Sequence, residues 1–214
     1  MAAVIVTGAF GALGRAVVAH LAAAGHQVAG VDLAPAPADF AGAMAVGGVN
    51  LTDEAAVKAA YDDIAGQLGG IAALVNIAGG FVWELVEGGQ LASWDRMYQM
   101  NLRTAATSAS AALGHLIASG GAIVNVGANA ALNPAAGMAP YTASKAGVHA
   151  LTASLAEELR GRVRVNAVLP TIIDTPTNRA DMPDADTSAW VKPERGTKVA
   201  ALRFPADAVS ISRA

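Results

Sequence analysis

The chain has 214 residues, of which 54% are hydrophobic and only 14% charged, a balance that predicts one domain with a large buried core. The net charge is −3 and no basic run exists, which argues against a nucleic-acid partner. Cys is absent, which excludes disulfides and thiol catalysis and fits a reducing compartment.

Short β-branched runs alternate with alanine-rich helical stretches along the first 170 residues. The predicted strands are Ala2–Thr7, Gln27–Asp32, Ala43–Asn50, Ile71–Gly79, Ala122–Gly127 and Val163–Leu169. The predicted helices are Arg15–Ala24, a helix capped by Thr52 or Asp53 that ends near Leu68, Trp94 to about Ala118, and Tyr141–Arg160. This alternation predicts an α/β fold, a doubly wound (Rossmann) parallel sheet of six strands with helices on both faces.

The N-terminal sequence MAAVIVTGAFG lacks a basic segment and a long apolar segment, and a glycine-rich turn follows at once. It is therefore interpreted as a strand and not as a signal peptide. The most apolar later window, Ala16–Val31, is interrupted by polar residues and is too short to span a membrane. The sequence predicts a cytoplasmic location and no membrane partner.

The tail from Thr171 is rich in Pro, Asp, Thr and Arg, and its only strand- or helix-like run is about Thr197–Phe204. Residues 1–214 contain no linker and no repeat, so they are interpreted as a single dinucleotide-binding and catalytic domain. Residues from about 171 to 214 form the substrate loop and an atypical tail in this interpretation.

The motif VTGAFGALGRAV places Gly8, Gly11 and Gly14 between the first strand and the first helix, with Leu13 in the same turn. Glycine allows a tight turn, a close approach of the backbone to a pyrophosphate, and close packing of the helix on the strand. The N–H groups at the start of the helix then bind the phosphate. A simple tight turn is the alternative interpretation, which the flanking strand and helix disfavour.

The second strand ends at Asp32, 24 residues after Gly8, where a carboxylate accepts hydrogen bonds from an adenosine ribose. A carboxylate repels the 2′-phosphate of NADP(H), and between Arg15 and Lys58 the sequence has no other cation that could bind that phosphate. We therefore predict that NAD(H) is preferred over NADP(H). An ordinary strand-end Asp is the alternative.

Tyr141 and Lys145 are four residues apart on a predicted helix and so share one face. A free phenol has a pKa of about 10, and a nearby ammonium together with an oxidised nicotinamide favours the phenolate. The pair can thus serve as a proton donor to a carbonyl oxygen. A solvent-facing Tyr and Lys on an amphipathic helix is the alternative.

Five motifs in this order resemble the short-chain dehydrogenase/reductase family: TGAFGALG, LVNIAG, MNLRT, YTASK and VNAVLPTIIDT. The resemblance implies that Tyr141 and Lys145 are catalytic and contact the cofactor, and that Asn101 supports a water chain near Lys145. It implies further cofactor contacts at Asn50, Leu51, Asn76, Ala78, Gly79, Pro170 and Thr175. It also implies a small-molecule substrate and a homodimer or higher homo-oligomer.

The chain departs from the family pattern at several positions. The family's second Asn is Ile77, the Gly after Pro170 is Thr171, and the family's catalytic Ser aligns with Ala128. Residues 127–190 resemble dihydropteridine reductases, a branch that also lacks this Ser and reduces a quinonoid pterin with NADH. The family's usual seventh strand has no clear counterpart, which indicates a shortened or altered C-terminus.

The predicted function is hydride transfer from NAD(P)H to a carbonyl or quinonoid substrate, with Tyr141 as proton donor. The alternative is a nucleotide-binding, catalytically weak family member that acts through protein interaction. The four His residues lack metal-ligand spacing, so no metal is predicted and they are interpreted as structural or surface residues. Phe81, Trp83 and Glu84 are interpreted as core or lid packing, with an aromatic wall for a planar substrate as the second interpretation.

Overall fold

The computed structural model describes residues 2–194 and the backbone of residues 199–202. Its strands are β1 (Ala3–Thr7), β2 (Val28–Val31), β3 (Met44–Val46), β4 (Ile71–Asn76), β5 (Ala122–Val126), β6 (Arg164–Pro170) and β7 (Val199–Leu202). Its α-helices are α1 (Ala12–Ala23), α2 (Glu54–Leu68), α3 (Leu91–Met97), α4 (Thr104–Ser119), α5 (Ala139–Glu158) and α6 (Pro176–Asp181). Within this described part, no helix has the length and apolar character needed to cross a membrane.

The strands form one sheet in the order β3-β2-β1-β4-β5-β6-β7. The first six strands are parallel, as the sequence predicts, and Thr7 at the end of β1 lies between Val31 and Asn76. The chain runs outward from β1 to β3 and then returns to β4 beside β1, so the strand order reverses between β1 and β4. Ligands of open α/β sheets bind outside the carboxyl ends of the strands at this point.

A seventh strand joins the edge of the sheet where the sequence analysis expected the sheet to end. β7 runs antiparallel to β6, with Val199 opposite Pro170 and Leu202 opposite Ala167. It lies within the run Thr197–Phe204, the only regular stretch predicted in the tail. That prediction missed α6, which also lies after Thr171. The six-stranded parallel sheet is thus confirmed, and its edge is corrected by one short antiparallel strand.

Two hydrophobic clusters cover the two faces of the sheet, because side chains alternate along each strand. Ile5 and Leu74 face α2 and α4, whose Tyr61 and Leu116 belong to the same cluster. Val6 belongs to the second cluster, which contains Val18 of α1. Full burial of each such aliphatic side chain stabilises the fold by about 1.5–3 kcal/mol, so both helical layers are fixed by the sheet.

The helix boundaries follow local capping chemistry. Asp53 caps α2, since its Oδ1 accepts hydrogen bonds from the N–H groups of Ala55 and Ala56 at 3.0 and 3.1 Å. The helix α1 begins at Ala12, three residues before the predicted start, so its first turn includes Leu13 and Gly14 of the glycine motif. The helix α5 begins two residues early, because Pro140 is compatible with a first helical turn.

The long helical region predicted from Trp94 to Ala118 is divided into three segments. A π-helix, Tyr98–Arg103, separates α3 from α4 and contains the buried Asn101. Short π-helical segments within α-helices occur frequently at functional sites. This segment carries Asn101 towards the loop that follows β4.

Candidate active site

The turn between β1 and α1 can be formed only by glycine at two positions. Gly8 has a φ of +63°, and a Cβ there would lie 2.8 Å from the backbone N of Ala78. A Cβ at Gly14 would lie 2.0 Å from the carbonyl O of Gly8. Gly11 precedes the first helical residue, and Leu13 lies in the first turn, whose N–H groups have no intrahelical acceptor. This cradle of backbone, which any Cβ would fill, fits a pyrophosphate.

Asp32, the predicted ribose ligand, follows β2 and reaches across to the glycine turn. Its Oδ2 accepts a hydrogen bond from the N–H of Phe10 at 3.0 Å, and its Oδ1 accepts one from the N–H of Ala34 at 3.1 Å. Arg15 makes two hydrogen bonds to the carboxylate of Asp39, at 3.1 and 3.2 Å. The one cation that sequence analysis considered for a 2′-phosphate is therefore already paired with a carboxylate.

Asn50 and Leu51, two of the predicted cofactor contacts, lie in the loop before α2. The Oδ1 of Asn50 accepts hydrogen bonds from the N–H and the Oγ1–H of Thr52 at 3.1 and 2.9 Å. Leu51 is buried in the core. Both residues thus fix the shape of this loop beside the ends of β2 and β3.

The loop after β4 forms the middle of the cleft that lies outside the carboxyl ends of the parallel strands. The Oγ1 of Thr7 accepts hydrogen bonds from the N–H groups of Ile77 and Ala78 at 3.1 and 3.2 Å, which holds this loop against β1. A Cβ at Gly79 would lie 2.5 Å from the Oδ1 of Asn101, so glycine is required at position 79. Ala78 and Gly79 therefore lie between the glycine turn and the Tyr141–Lys145 helix.

Asn76, which was also predicted to line the cleft, points into the sheet. Its Nδ2 donates to the Oδ1 of Asn125 at 2.9 Å, and the Nδ2 of Asn125 donates to the Oγ1 of Thr152 at 2.9 Å. Its own Oδ1 is buried and has no hydrogen-bond partner among the described residues. The side chain thus joins β4, β5 and α5 below the cleft.

Asn101 holds three elements together through its side-chain amide. The Oδ1 accepts a hydrogen bond from the N–H of Gly80 at 2.9 Å, and the Nδ2 donates to the carbonyl O of Gly80 at 3.1 Å. The same Nδ2 donates to the Oγ of Ser144 at 2.9 Å. Asn101 is fully buried, and it fixes the cleft loop against α5 one residue before Lys145.

Tyr141 and Lys145 lie on successive turns of α5, as predicted from their spacing. Burial lowers the pKa of Lys145 to about 8, and its Nζ donates a hydrogen bond to the carbonyl O of Val126 at 2.8 Å. Burial raises the pKa of Tyr141 to about 12. Burial thus governs the pKa of this phenol in the protein without cofactor. Stabilisation of the phenolate by Lys145 together with an oxidised nicotinamide stays a prediction.

Aromatic residues of the loop after β4 form one wall beside Tyr141. The ring of Phe81 packs edge-on against the ring of Tyr141, with centroids 4.9 Å apart. Trp83 is 61% exposed and lies against Gly137, where a Cβ would be 2.2 Å from the indole Cε2. The N–H of Glu84 donates to the carbonyl O of Gly137 at 2.8 Å. The exposure of Phe81 and Trp83 excludes core packing and leaves both lid packing and an aromatic wall for a planar substrate as interpretations.

Ala128 lies at the end of β5, with only 4% of its surface exposed. Its N–H donates to the Nε2 of His149 at 3.3 Å. The sequence analysis assigned His149 no specific contact, although its position four residues after Lys145 placed it on the same helix face. Asn129 and Asn133, which follow Ala128, bond to each other, since the Nδ2 of Asn133 donates to the Oδ1 of Asn129 at 3.4 Å.

Pro170 and Thr175, two further predicted cofactor contacts, flank the connection from β6 to α6. Pro170 is the last residue of β6. The Oγ1 of Thr175 accepts a hydrogen bond from the N–H of Asn178 at 3.1 Å and so caps α6. Both residues follow the carboxyl end of β6, on the same edge of the sheet as the glycine turn.

Comparisons with known proteins identify the family to which this sequence and fold belong. The chain is 32% identical over 211 residues to 2-(S)-hydroxypropyl-CoM dehydrogenase 3 of Xanthobacter autotrophicus, covering 94% of this chain and 83% of that protein. It is 38% identical over 164 residues to inactive 2-(S)-hydroxypropyl-CoM dehydrogenase 2 of the same organism, covering 73% and 71%. The ligand-free structure of an aldohexose dehydrogenase from Thermoplasma acidophilum aligns with a TM-score of 0.82 at 26% identity, covering 91% of this chain and 83% of that one. Since residues 2–186 also match the family model described as short chain dehydrogenase, the chain belongs to the short-chain dehydrogenase/reductase family.

Proposed function

We propose that this protein is an NADH-dependent reductase of a carbonyl or quinonoid substrate, in which Tyr141 donates the proton. Members of its family are oxidoreductases that use NAD(H) or NADP(H) and act on small molecules. The observation that carries the finer proposal is the position of Tyr141, which lies one helical turn from Lys145 and packs against Phe81 beside the cleft.

The cofactor is assigned to the edge of the sheet from the glycine turn to the end of β6. Gly8, Gly11, Leu13 and Gly14 would hold the pyrophosphate, and Asp32 would accept hydrogen bonds from the ribose. The remaining proposed contacts are Asn50, Ala78, Gly79, Tyr141, Lys145, Pro170 and Thr175. Leu51 is buried in the core and Asn76 bonds to Asn125, so these two predicted residues are assigned the support of the neighbouring loops and not cofactor contact. When bound, NADH supplies the hydride.

Cofactor preference gives a direct binding prediction. NADH is expected to bind at least about tenfold more tightly than NADPH. The reason is that the 2′-phosphate of NADPH would lie next to the Asp32 carboxylate, and two like charges in contact cost several kcal/mol. Asp32→Ala should narrow this gap. Asp39→Asn should tighten NADPH binding, because it releases Arg15 from its carboxylate partner.

Fluorescence titration of both cofactors measures these affinities without any turnover. Asp63→Asn is the matched control, since Asp63 is an exposed carboxylate whose partner is Gln67 on the same helix. Equal affinities for the two cofactors in the wild-type protein would contradict the proposed preference for NADH.

Tyr141 is suited to donation and poorly suited to abstraction of a proton. Because the pKa of Tyr141 is about 12, its phenol keeps its proton at neutral pH. This proton can be transferred to the substrate oxygen or nitrogen as hydride reduces the neighbouring carbon. The phenolate that remains is stabilised by the ammonium of Lys145 and then regains a proton from water.

The substrate is proposed to be a quinonoid or quinone-like compound, as in the dihydropteridine reductases that residues 127–190 resemble. Ala128 offers no hydroxyl to hold a substrate oxygen, and a conjugated acceptor spreads the charge that such a hydrogen bond would stabilise. The exposed rings of Phe81 and Trp83 support this proposal, since both lie on the loop beside Tyr141 and can contact a planar molecule.

Restoring a hydroxyl at position 128 should change substrate preference. Ala128→Ser is expected to raise kcat/KM for an activated ketone by up to roughly 10²–10³-fold, the value of one well-placed oxyanion donor. It should change kcat/KM for a quinonoid acceptor much less. Steady-state oxidation of NADH with both acceptors measures the two effects, and Ala135→Ser, at an exposed position of the loop that follows, is the control. Equal increases in kcat/KM for both acceptors would show that the hydroxyl does not discriminate between them, which would contradict the proposal.

A nucleotide-binding protein with little turnover is the second candidate function. Ala128 favours it, and a relative of 38% identity is itself described as inactive. The presence of Tyr141, Lys145 and Asn101 in one site favours the reductase, since Asn101 bonds to Ser144 of α5, which lies next to Lys145 in the chain. We also propose a homo-oligomer, as is common in this family, and the 81% and 38% exposure of Leu91 and Trp94 on α3 supports an apolar contact there.

A further inference from the structure

His149 extends the row of active-site residues on α5 by one turn. Tyr141, Lys145 and His149 are spaced four residues apart, so their side chains leave the same face of the helix. His149 is only 9% exposed, unlike a surface histidine. Nothing in the reaction proposed above uses this buried imidazole.

The imidazole contacts the segment Val126–Ala128, which continues from β5 into the cleft. Its Nε2 accepts the hydrogen bond from the N–H of Ala128 at 3.3 Å. A Cβ at Gly127 would lie 2.4 Å from the same nitrogen, so the ring packs directly on the backbone there. Lys145 holds the other end of the segment through the carbonyl O of Val126, at 2.8 Å.

The position of this segment matters because it carries the residue that stands where the family has its catalytic Ser. Ala128 is the last extended residue before a 3₁₀ turn, Asn129–Ala131, and the N–H of Ala131 donates to its carbonyl O at 3.1 Å. A change in the Ala128 peptide would therefore move both the wall of the cleft and the loop that leads to α5.

We propose that neutral His149 is a positioning residue that fixes the Val126–Ala128 segment beside Tyr141, and that protonation of its imidazole releases this segment and lowers turnover. The part concerning turnover rests on the proposed reductase function. The part concerning the backbone does not, because the hydrogen bond to Ala128 exists in the protein without substrate.

The hydrogen bond requires an unprotonated Nε2, since a protonated imidazole has no free lone pair. Burial lowers the pKa of His149, and the charge of Lys145 lowers it further. The neighbouring Gly127, Ala128 and Val168 of the sheet carry no charge, and Tyr141 on the same helix is neutral at pH 7. Turnover is therefore expected to fall only below the ordinary pKa of His, about 6.5.

Two variants distinguish the role of His149 as a hydrogen-bond acceptor from its role as a titratable group. His149→Gln keeps an acceptor oxygen and cannot be protonated in this range, whereas His149→Leu fills the space and removes the acceptor. His115→Gln is the matched control, because His115 lies on α4 and bonds to Asp62 on the outside of the protein, at 3.1 Å. The measurements are kcat against pH with NADH and a quinonoid acceptor, and the ¹⁵N NMR shift of the Ala128 amide against pH.

Wild type and His115→Gln should lose kcat below about pH 6.5 with a matching shift of the Ala128 amide. His149→Gln should lack both transitions and keep its neutral-pH kcat. The kcat of His149→Leu should fall about fivefold, the effect of one ordinary hydrogen bond, and its affinity for NADH should be unchanged. If the Ala128 amide does not titrate in wild type, or titrates equally in His149→Gln, the inference is wrong. If no acceptor is reduced, the proposed function fails, while the amide titration still decides the role of His149.

Discussion

Tyr141→Phe is expected to lower kcat with a quinonoid acceptor by about 10²–10⁴-fold, the contribution of a positioned general acid. The change removes one oxygen and leaves the ring, so the edge-on contact with Phe81 at 4.9 Å should persist. NADH affinity should change little, since the substitution leaves the glycine turn and Asp32 intact. Stopped-flow oxidation of NADH and a parallel fluorescence titration measure the two quantities.

Tyr98→Phe is the matched control for this experiment. Tyr98 begins the π-helix and is 47% exposed, and it has no place in the proposed proton path. It should retain the wild-type kcat. Full activity of Tyr141→Phe would mean that the reaction needs no phenol, and the proposed role of Tyr141 would then have to be abandoned.

Lys145→Met is expected to abolish turnover and to stabilise the protein by about 2 kcal/mol at pH 7. Burial lowers the pKa of Lys145 from 10.5 to about 8, which corresponds to roughly 3 kcal/mol of unfavourable free energy for the charged form. Loss of the hydrogen bond to the carbonyl O of Val126 offsets part of the gain. Activity and stability should therefore change in opposite directions at this one residue.

The pH dependence of unfolding gives this prediction a second signature. Between pH 8 and 10.5 the unfolded chain still holds the proton that folded Lys145 has released, so the free energy of unfolding rises with pH. Urea unfolding at several pH values should show this rise in wild type and not in Lys145→Met. Lys58→Met, at an exposed position on α2, is the control. If Lys145→Met is less stable than wild type and its free energy of unfolding depends on pH as in wild type, burial of the charged Lys145 does not destabilise the protein and the prediction is wrong.

The parallel sheet, the glycine turn and the Tyr–Lys pair could be predicted from the sequence because each depends on local spacing. Gly8 has a positive φ, and a Cβ at Gly14 would meet the carbonyl O of Gly8, so both of these requirements for glycine arise within the turn itself. Tyr141 and Lys145 share a face in any α-helix. Such features need no knowledge of what packs against them.

The remaining features depend on contacts between residues distant in the chain. Asn101 lies in a π-helix that no hydrophobic period reveals, and its partner Ser144 is 43 residues away. His149 was interpreted as structural or surface because its contact with Ala128 joins residues 21 positions apart. The raised pKa of Tyr141 likewise follows from burial by the folded loop, which spacing alone does not give.

The central claim, that this site reduces a conjugated acceptor without the family's Ser, is tested most directly by NADH oxidation with purified wild-type protein. Quinonoid dihydropterin, a quinone and an activated ketone are compared at equal concentration. The account predicts turnover with at least one of the two conjugated acceptors, and a kcat/KM for the ketone lower by roughly 10²–10³-fold. Normal NADH binding with no oxidation by any acceptor would contradict it and would favour the non-catalytic function.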